Sequence, residues 1–163
     1  MSTAVLPGSY DPITNGHLEI IRRASKMYDN IIVAVGKNSN KEYLLSEKQR
    51  LKLINDAIKD IDNASAEIFD GYLVDFINEK GRPVIVKGIR NYDDYIYEQE
   101  MAQKNKELSR ERCNFKAETV LLVSSKDYSH ISSSYVKEVL YDSDKCNELV
   151  PNYSLLIEML SKK

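Results

Sequence analysis

Tryptophan is absent from the 163 residues, and histidine and cysteine occur only twice each. So few soft or imidazole ligands argue against a resident transition-metal centre, and the spacing of Cys113 and Cys146 matches no metal motif. Two lone cysteines also exclude a disulfide scaffold and read as free thiols of a reducing compartment. No apolar run approaches the roughly 18 residues of a membrane span, and no basic-then-apolar leader opens the chain. An excess of one charge sign is missing too. The 23 Lys and Arg face 25 Asp and Glu, a net charge of −2, so the broad basic field that suits nucleic acid or an anionic membrane is not there. The expectation is one cytoplasmic domain over residues 1–163, with neither nucleic acid nor membrane as a partner.

What the sequence does contain is alternation. Short apolar, β-branched runs recur at 3–6, 30–36, 66–69, 83–89 and 119–124. Several are unbroken, as in strands covered on both faces. Between them, segments 17–28, 46–60, 72–80, 91–109, 133–142 and 152–162 carry helical period. The second opens with Ser46 and Gln49 in a capping-box spacing and puts Leu51, Ile54 and Ile58 on one face. The last stretch, about 145–163, reads as a C-terminal helical segment that packs on its own domain or on a neighbour. Alternating strands and helices predict an α/β domain: a Rossmann-like, doubly wound sheet of five parallel strands. Ligands of such sheets bind beyond the carboxyl ends of the strands. The strand-to-helix junctions are therefore where chemistry is sought.

The first junction reads "PGSYDPITNGHLEII" over 7–21. Gly8 permits a close backbone approach or a positive φ. Pro12 stiffens the loop, and Thr14 or Asn15 can cap a helix whose first turn holds His17. Free N–H groups at a helix start favour an anion, and His17 adds a donor there. Read alone, the stretch suits an anion site and a plain packed helix start equally well. It is neither a P-loop nor a GxGxxG turn. At the second junction Lys41 precedes the Ser46 cap; a loop lysine is most often simply solvated. At the fourth, Lys87 and Arg90 bracket Gly88 at a strand's end, which favours an anion. The following helix sets Asp94, Glu98, Met101 and Asn105 on one face, a spacing equally suited to a solvated stripe. At the fifth, Ser132, Ser133 and Ser134 crowd a helix start, more hydroxyls than one cap needs.

These stretches carry a resemblance. "TNGH" (14–17) resembles the (H/T)xGH motif of the nucleotidyltransferase superfamily. The longer "PGSYDPITNGH" resembles the phosphopantetheine adenylyltransferases, with Ser9 and Tyr10 where relatives usually have Thr and Phe. "KGIR" (87–90) is similar to the family's (R/K)GxR, with Lys87 where Arg is common. "YEQEMAQKN" (97–105) is similar to Y-E-x-x-x-A-x-x-N, and "ISSSYVK" (131–137) to I-S-S-(S/T)-x-(V/I)-(K/R). The motifs fall in family order from about residue 5 to 142.

The resemblance implies reversible transfer of an adenylyl group from ATP to 4′-phosphopantetheine, giving dephospho-coenzyme A and pyrophosphate. Nicotinamide-mononucleotide adenylyltransferase, glycerol-3-phosphate cytidylyltransferase and a non-catalytic nucleotide-binding regulatory module stand as alternatives. It implies catalytic roles for His17, Lys41 and Arg90. ATP contacts fall on Ser9, Tyr10, His17, Gly88, Ile89, Arg90 and Glu98. They continue through Tyr128, Ser129, His130, Ile131, Ser132, Ser133 and Ser134. Contacts to the second substrate fall on Ser9, Lys41, Leu73, Lys87, Met101, Asn105 and Glu138. No protein metal site is implied; Mg²⁺ arrives with ATP. A homohexamer and feedback binding of coenzyme A are implied likewise. The nucleophile is a phosphate already ionised at neutral pH, so the protein must supply positioning and charge neutralisation. The protonation of His17 stays open: a helix N-terminus disfavours its charged form, a nearby triphosphate favours it.

Overall fold

The computed structural model describes residues 1–162. Five strands alternate with helices: β1 (Thr3–Gly8), α1 (Asn15–Ser25), β2 (Asn30–Lys37), α2 (Glu47–Ala57), β3 (Ala64–Asp70), α3 (Leu73–Glu79), β4 (Val84–Ile89), α4 (Tyr92–Cys113) and β5 (Thr119–Val123). A 3-10 turn (Lys126–Tyr128) and α5 (Ser133–Glu138), α6 (Ser143–Leu149) and α7 (Tyr153–Ser161) complete the chain. All strand pairings are parallel, in the order β3-β2-β1-β4-β5. The doubly wound sheet expected from the strand and helix alternation is the one observed.

Residue alternation along the strands explains the two layers of cover. Ala4, Leu6, Ile31, Val33 and Val35 turn to one face, where they share a core with α1, α2 and α5–α7. Val5 and Ala34 turn to the other and meet Phe76 of α3; Ile85 meets Ile77 and Ala117 there. Strands covered on both sides must be apolar at consecutive positions, which is how they read in the sequence. Among the described residues no helix is long and apolar enough to cross a membrane.

Several boundaries differ from the sequence-based expectation: the helices expected over 17–28, 46–60 and 133–142 end earlier, at Ser25, Ala57 and Glu138, and three further differences have a local cause. The helix expected over 17–28 begins at Asn15, because Thr14, not Asn15, is the cap. α4 runs four residues past 109, to Cys113, until Asn114 turns left-handed at φ 54°. The segment expected at about 145–163 is two helices. Val150 is extended before Pro151, as the proline ring demands of its predecessor. The segment packs on its own domain: Asn152 Nδ2 donates to Leu53 O at 2.9 Å and to Asp56 Oδ2 at 3.0 Å, both on α2.

The centre of the sheet positions the site. β1 and β4 pair only at Ala4–Val84 and Val5–Ile85 among the described residues, then part. Pro7 has no N–H to give across the gap, and its carbonyl instead accepts from Lys87 Nζ at 3.2 Å. β1 is also where the strand order reverses, from β2 on one side to β4 on the other. A crevice at that switch point is the expected ligand site of an open α/β sheet.

Candidate active site

The split between β1 and β4 opens into a cavity of about 350 Å³. Leu6, Pro7 and Gly8 form one wall and Val86, Lys87 and Gly88 the other, with His17, Lys41, Arg90, Glu98 and Ile131–Ser134 around them. Gly88 is small for a packing reason: a Cβ there would lie 2.8 Å from Ile20 Cγ1 of α1. A second, larger hollow of about 1120 Å³ adjoins it, sharing Ser9, Lys41, Lys87 and Glu98. Leu73, Met101 and Asn105 line that second space. The ends of all five strands thus bring together most of the residues singled out in the sequence.

His17 sits in the first turn of α1. Thr14 caps the helix by accepting from the His17 N–H at 3.2 Å, while the Thr14 N–H donates to His17 Nδ1 at 3.0 Å. This is a capping box with histidine in the place usually held by Glu or Gln. Because Nδ1 accepts from a backbone amide, it carries no proton in the neutral ring. The proton then lies on Nε2, the second donor-bearing position of the imidazole. Burial lowers the His17 pKa from 6.5 to about 4, helped by the nearby charges of Lys87 and Arg90. Both the hydrogen bond to Nδ1 and the lowered pKa favour a neutral ring at pH 7.

Tyr10 lines the same cavity. Its hydroxyl donates inward to Leu6 O at 2.8 Å, and the residue is 6% exposed with φ at 49°. The ring meets the His17 ring edge-on, centroids 4.9 Å apart. There Tyr10 acts as a buttress for the imidazole, not as a free polar contact.

The cations are held by neighbours. Arg90 is clamped on Asp94: Nε to Oδ2 at 3.0 Å and Nη2 to Oδ1 at 3.3 Å, with Nη1 donating to Ile131 O at 3.3 Å. Lys87 Nζ lies 3.3 Å from Glu98 Oε1. Glu98 is thus committed to a lysine, and its carboxylate suits hydroxyl or amino donors of a nucleotide, not its phosphates. Lys41 Nζ donates to Ser9 Oγ at 3.3 Å. Two of the three serines are also spoken for. Ser132 Oγ accepts the Tyr135 N–H at 3.1 Å as the α5 cap, and Ser133 Oγ donates to Pro12 O at 2.9 Å. Ser133 therefore ties α5 to the first loop instead of offering its hydroxyl proton to a ligand. The first amides of α5 still lack intrahelical acceptors.

Five expected residues lie outside the lining of both spaces. Ile89 is in β4, where its carbonyl accepts the Ser124 N–H at 2.8 Å. Tyr128 packs against the core, Ser129 Oγ donates to Lys126 O, and His130 and Glu138 are exposed.

Two site-building residues escaped the sequence reading. Asp11, 3% exposed, accepts the Leu44 and Leu45 amides at 2.8 and 2.9 Å and pairs with Lys137 Nζ at 2.9 Å. Arg50, 1% exposed, donates through Nη1 to Ser9 O at 2.7 Å and Gly36 O at 3.2 Å. The signal for Arg50 was its place in the buried stripe of α2 with Leu53, Ile54 and Ala57. Leu51 and Ile58, read as that face, are partly and fully buried respectively. Asp11 lay inside the quoted loop, beside Pro12, with no partner legible nearby.

Comparisons with known proteins agree with this geometry. A family model described as cytidylyltransferase-like matches residues 5–139. The chain is 46% identical over 152 residues to a phosphopantetheine adenylyltransferase of Clostridium novyi (strain NT), covering 93% of this chain and 91% of the relative. It is 42% identical over 163 residues to one of Alkaliphilus metalliredigens (strain QYMF), covering 100% and 99%. Among solved structures, a putative nicotinate-nucleotide adenylyltransferase from Vibrio parahaemolyticus superposes with a TM-score of 0.69 at 19% identity, covering 100% of this chain and 97% of that one. That last likeness is one of fold.

Proposed function

The chain belongs to the cytidylyltransferase-like family, and within it to the phosphopantetheine adenylyltransferases, and from this membership we infer that it transfers an adenylyl group from ATP to 4′-phosphopantetheine, reversibly, giving dephospho-coenzyme A and pyrophosphate. A phosphate oxygen of 4′-phosphopantetheine attacks the α-phosphorus of ATP. A new P–O bond forms there as the bond to the bridging oxygen breaks and pyrophosphate departs. No proton need leave the nucleophile, so the side chains position and neutralise. His17 offers its Nε2–H to an α-phosphate oxygen, where charge grows in the transition state. Arg90, braced by Asp94, engages the ATP phosphates. Lys41 and Lys87 hold the incoming phosphate at the mouth shared by the two spaces. Leu73, Met101 and Asn105 flank the pantetheine arm in the larger one.

The carboxylates of the cleft, Asp94 and Glu98, are paired with Arg90 and Lys87. Mg²⁺ is accordingly part of the substrate, MgATP, held through phosphate oxygens and water. A cytoplasmic homohexamer that binds coenzyme A belongs to the same proposal; its mass in solution and calorimetry with coenzyme A test it.

The observation that carries the mechanism is the Thr14 amide on His17 Nδ1, which fixes a neutral imidazole as donor beside three cations. Pyrophosphate release tests the whole reading. Purified protein with MgATP is expected to release it with 4′-phosphopantetheine. Release only with nicotinamide mononucleotide, or only with glycerol 3-phosphate and CTP, would overturn the substrate. No release with any would leave a nucleotide-binding module.

A further inference from the structure

Lys41 is an exposed lysine on a loop, yet the reaction needs its ammonium in one place. Three residues, Ser9, Tyr43 and Arg50, close a ring with it. Arg50 Nη1 donates to the Ser9 carbonyl at 2.7 Å. The Ser9 hydroxyl accepts from Lys41 Nζ at 3.3 Å. Lys41 Nζ lies 5.5 Å from the centroid of the Tyr43 ring. The Arg50 guanidinium carbon lies 4.0 Å from the same centroid. The guanidinium is buried, and its Nε finds no hydrogen-bond acceptor among the described residues. A buried cation needs compensation, and the face of an aromatic ring supplies part of it. Burial of Arg50 thus fixes Tyr43, and the Tyr43 ring in turn presents a negative face to the lysine.

We propose that Tyr43 is a positioning residue of the reaction: clamped by Arg50, it holds the Lys41 ammonium against Ser9, where the incoming phosphate is received. Asp11 supports the same loop from its far end, through the Leu44 and Leu45 amides. A free lysine samples many rotamers. The ring and the Ser9 hydroxyl restrict it before the substrate arrives, so less ordering is left for the binding step. The role requires the aromatic face and not the phenol hydroxyl. It rests on the reading of the site given above for the part played by Lys41, but the placement of Lys41 can be measured without turnover.

Two arms test it on the full chain, with Tyr43→Phe keeping the ring and Tyr43→Leu keeping bulk without it. In NMR spectra of isotope-labelled lysine, the Lys41 ε-methylene is expected upfield in the wild type and in Tyr43→Phe, through the ring current. It is expected to lose that displacement in Tyr43→Leu. In turnover, Tyr43→Leu is expected to lower kcat/KM for 4′-phosphopantetheine by about 2- to 5-fold, the size of a partly exposed cation–π contact. KM for ATP stays put, and Tyr43→Phe restores the rate. In a Lys41→Ala background Tyr43→Leu should cost nothing more. Identical Lys41 signals in the wild type and Tyr43→Leu would overturn the proposal. So would an undiminished Tyr43→Leu loss in the Lys41→Ala background, which would make Tyr43 a direct substrate contact. A wild type that releases no pyrophosphate would end the functional reading alone, with the NMR arm still deciding the placement of Lys41.

Discussion

His17 shows how one hydrogen bond decides a chemical role. A histidine at a helix start would ordinarily be free to choose its tautomer. Here the Thr14 amide occupies Nδ1, and burial, with Lys87 and Arg90 beside it, discourages a second proton. The ring is left as a neutral donor that need not lose its own hydration or turn when the phosphate charge develops. Preorganised donors of this kind are worth about 10²- to 10³-fold in rate. His17→Ala is expected to lower kcat by about 10²-fold or more while the far-ultraviolet circular dichroism stays native. Near-normal turnover by the folded variant would remove His17 from the mechanism. The tautomer has its own check: ¹⁵N spectra near neutral pH should show an unprotonated Nδ1 and a protonated Nε2, and the reverse pattern would contradict it.

At the scale of elements, the site is a set of loops tied to one another. Asp11 is the knot: its two oxygens take the amides of the loop carrying Lys41, and Lys137 reaches it from α5. An Asn in its place keeps one acceptor but turns an NH₂ group toward a neighbouring donor. A buried donor left without an acceptor costs about 1–3 kcal/mol. Each kcal/mol lowers the melting temperature of a chain this size by about 2–4 °C. Asp11→Asn is expected to melt earlier by that measure and to raise KM for 4′-phosphopantetheine more than KM for ATP. Unchanged melting and unchanged KM values would show the knot to be idle.

The strands and most helices were legible because their signals are local. Val33, Ala34 and Val35 in sequence announce a strand covered on both sides, and Ser46 with Gln49 announces a cap. The residues lining the split were legible as motifs at strand ends. Asp11 and Arg50 were not, because their partners lie 33 and 41 positions away in Leu44 and Ser9, and charged residues are read as surface unless a partner is visible. The inward turn of the Tyr10 hydroxyl to Leu6 O is hidden for a related reason: nothing local in the sequence shows it. The helix expected over 152–162 is α7, whereas the short α6, capped by Asp142, carries too few residues to show a helical period of its own.

For the whole molecule, the reversal of strand order at β1 places His17, Lys87 and Arg90 in one crevice, and this couples folding, acidity and ligand. The unfolded His17 titrates near 6.5 and the folded one near 4. Between those values the unfolded chain binds more protons, so stability rises with pH across the window. The contribution from His17 is complete above about pH 6.5 and is lost as pH falls toward 4. ATP reverses part of this. Its phosphates offer a compensating charge to an imidazolium, so the bound ring should accept a proton more readily than the free one. By linkage, whatever raises the His17 pKa on binding must strengthen binding as the proton becomes available. A ligand that binds only the folded state raises stability by mass action, about 2.7 kcal/mol at a hundredfold excess over Kd. The rise in melting temperature caused by ATP, taken as wild type minus His17→Gln, is therefore expected to grow as pH is lowered from 7 to 5. The subtraction removes the protonation of ATP itself, which both proteins meet equally. A difference that stays flat over this range would mean that the phosphates do not reach the imidazole, and His17 would have to be moved away from the α-phosphate.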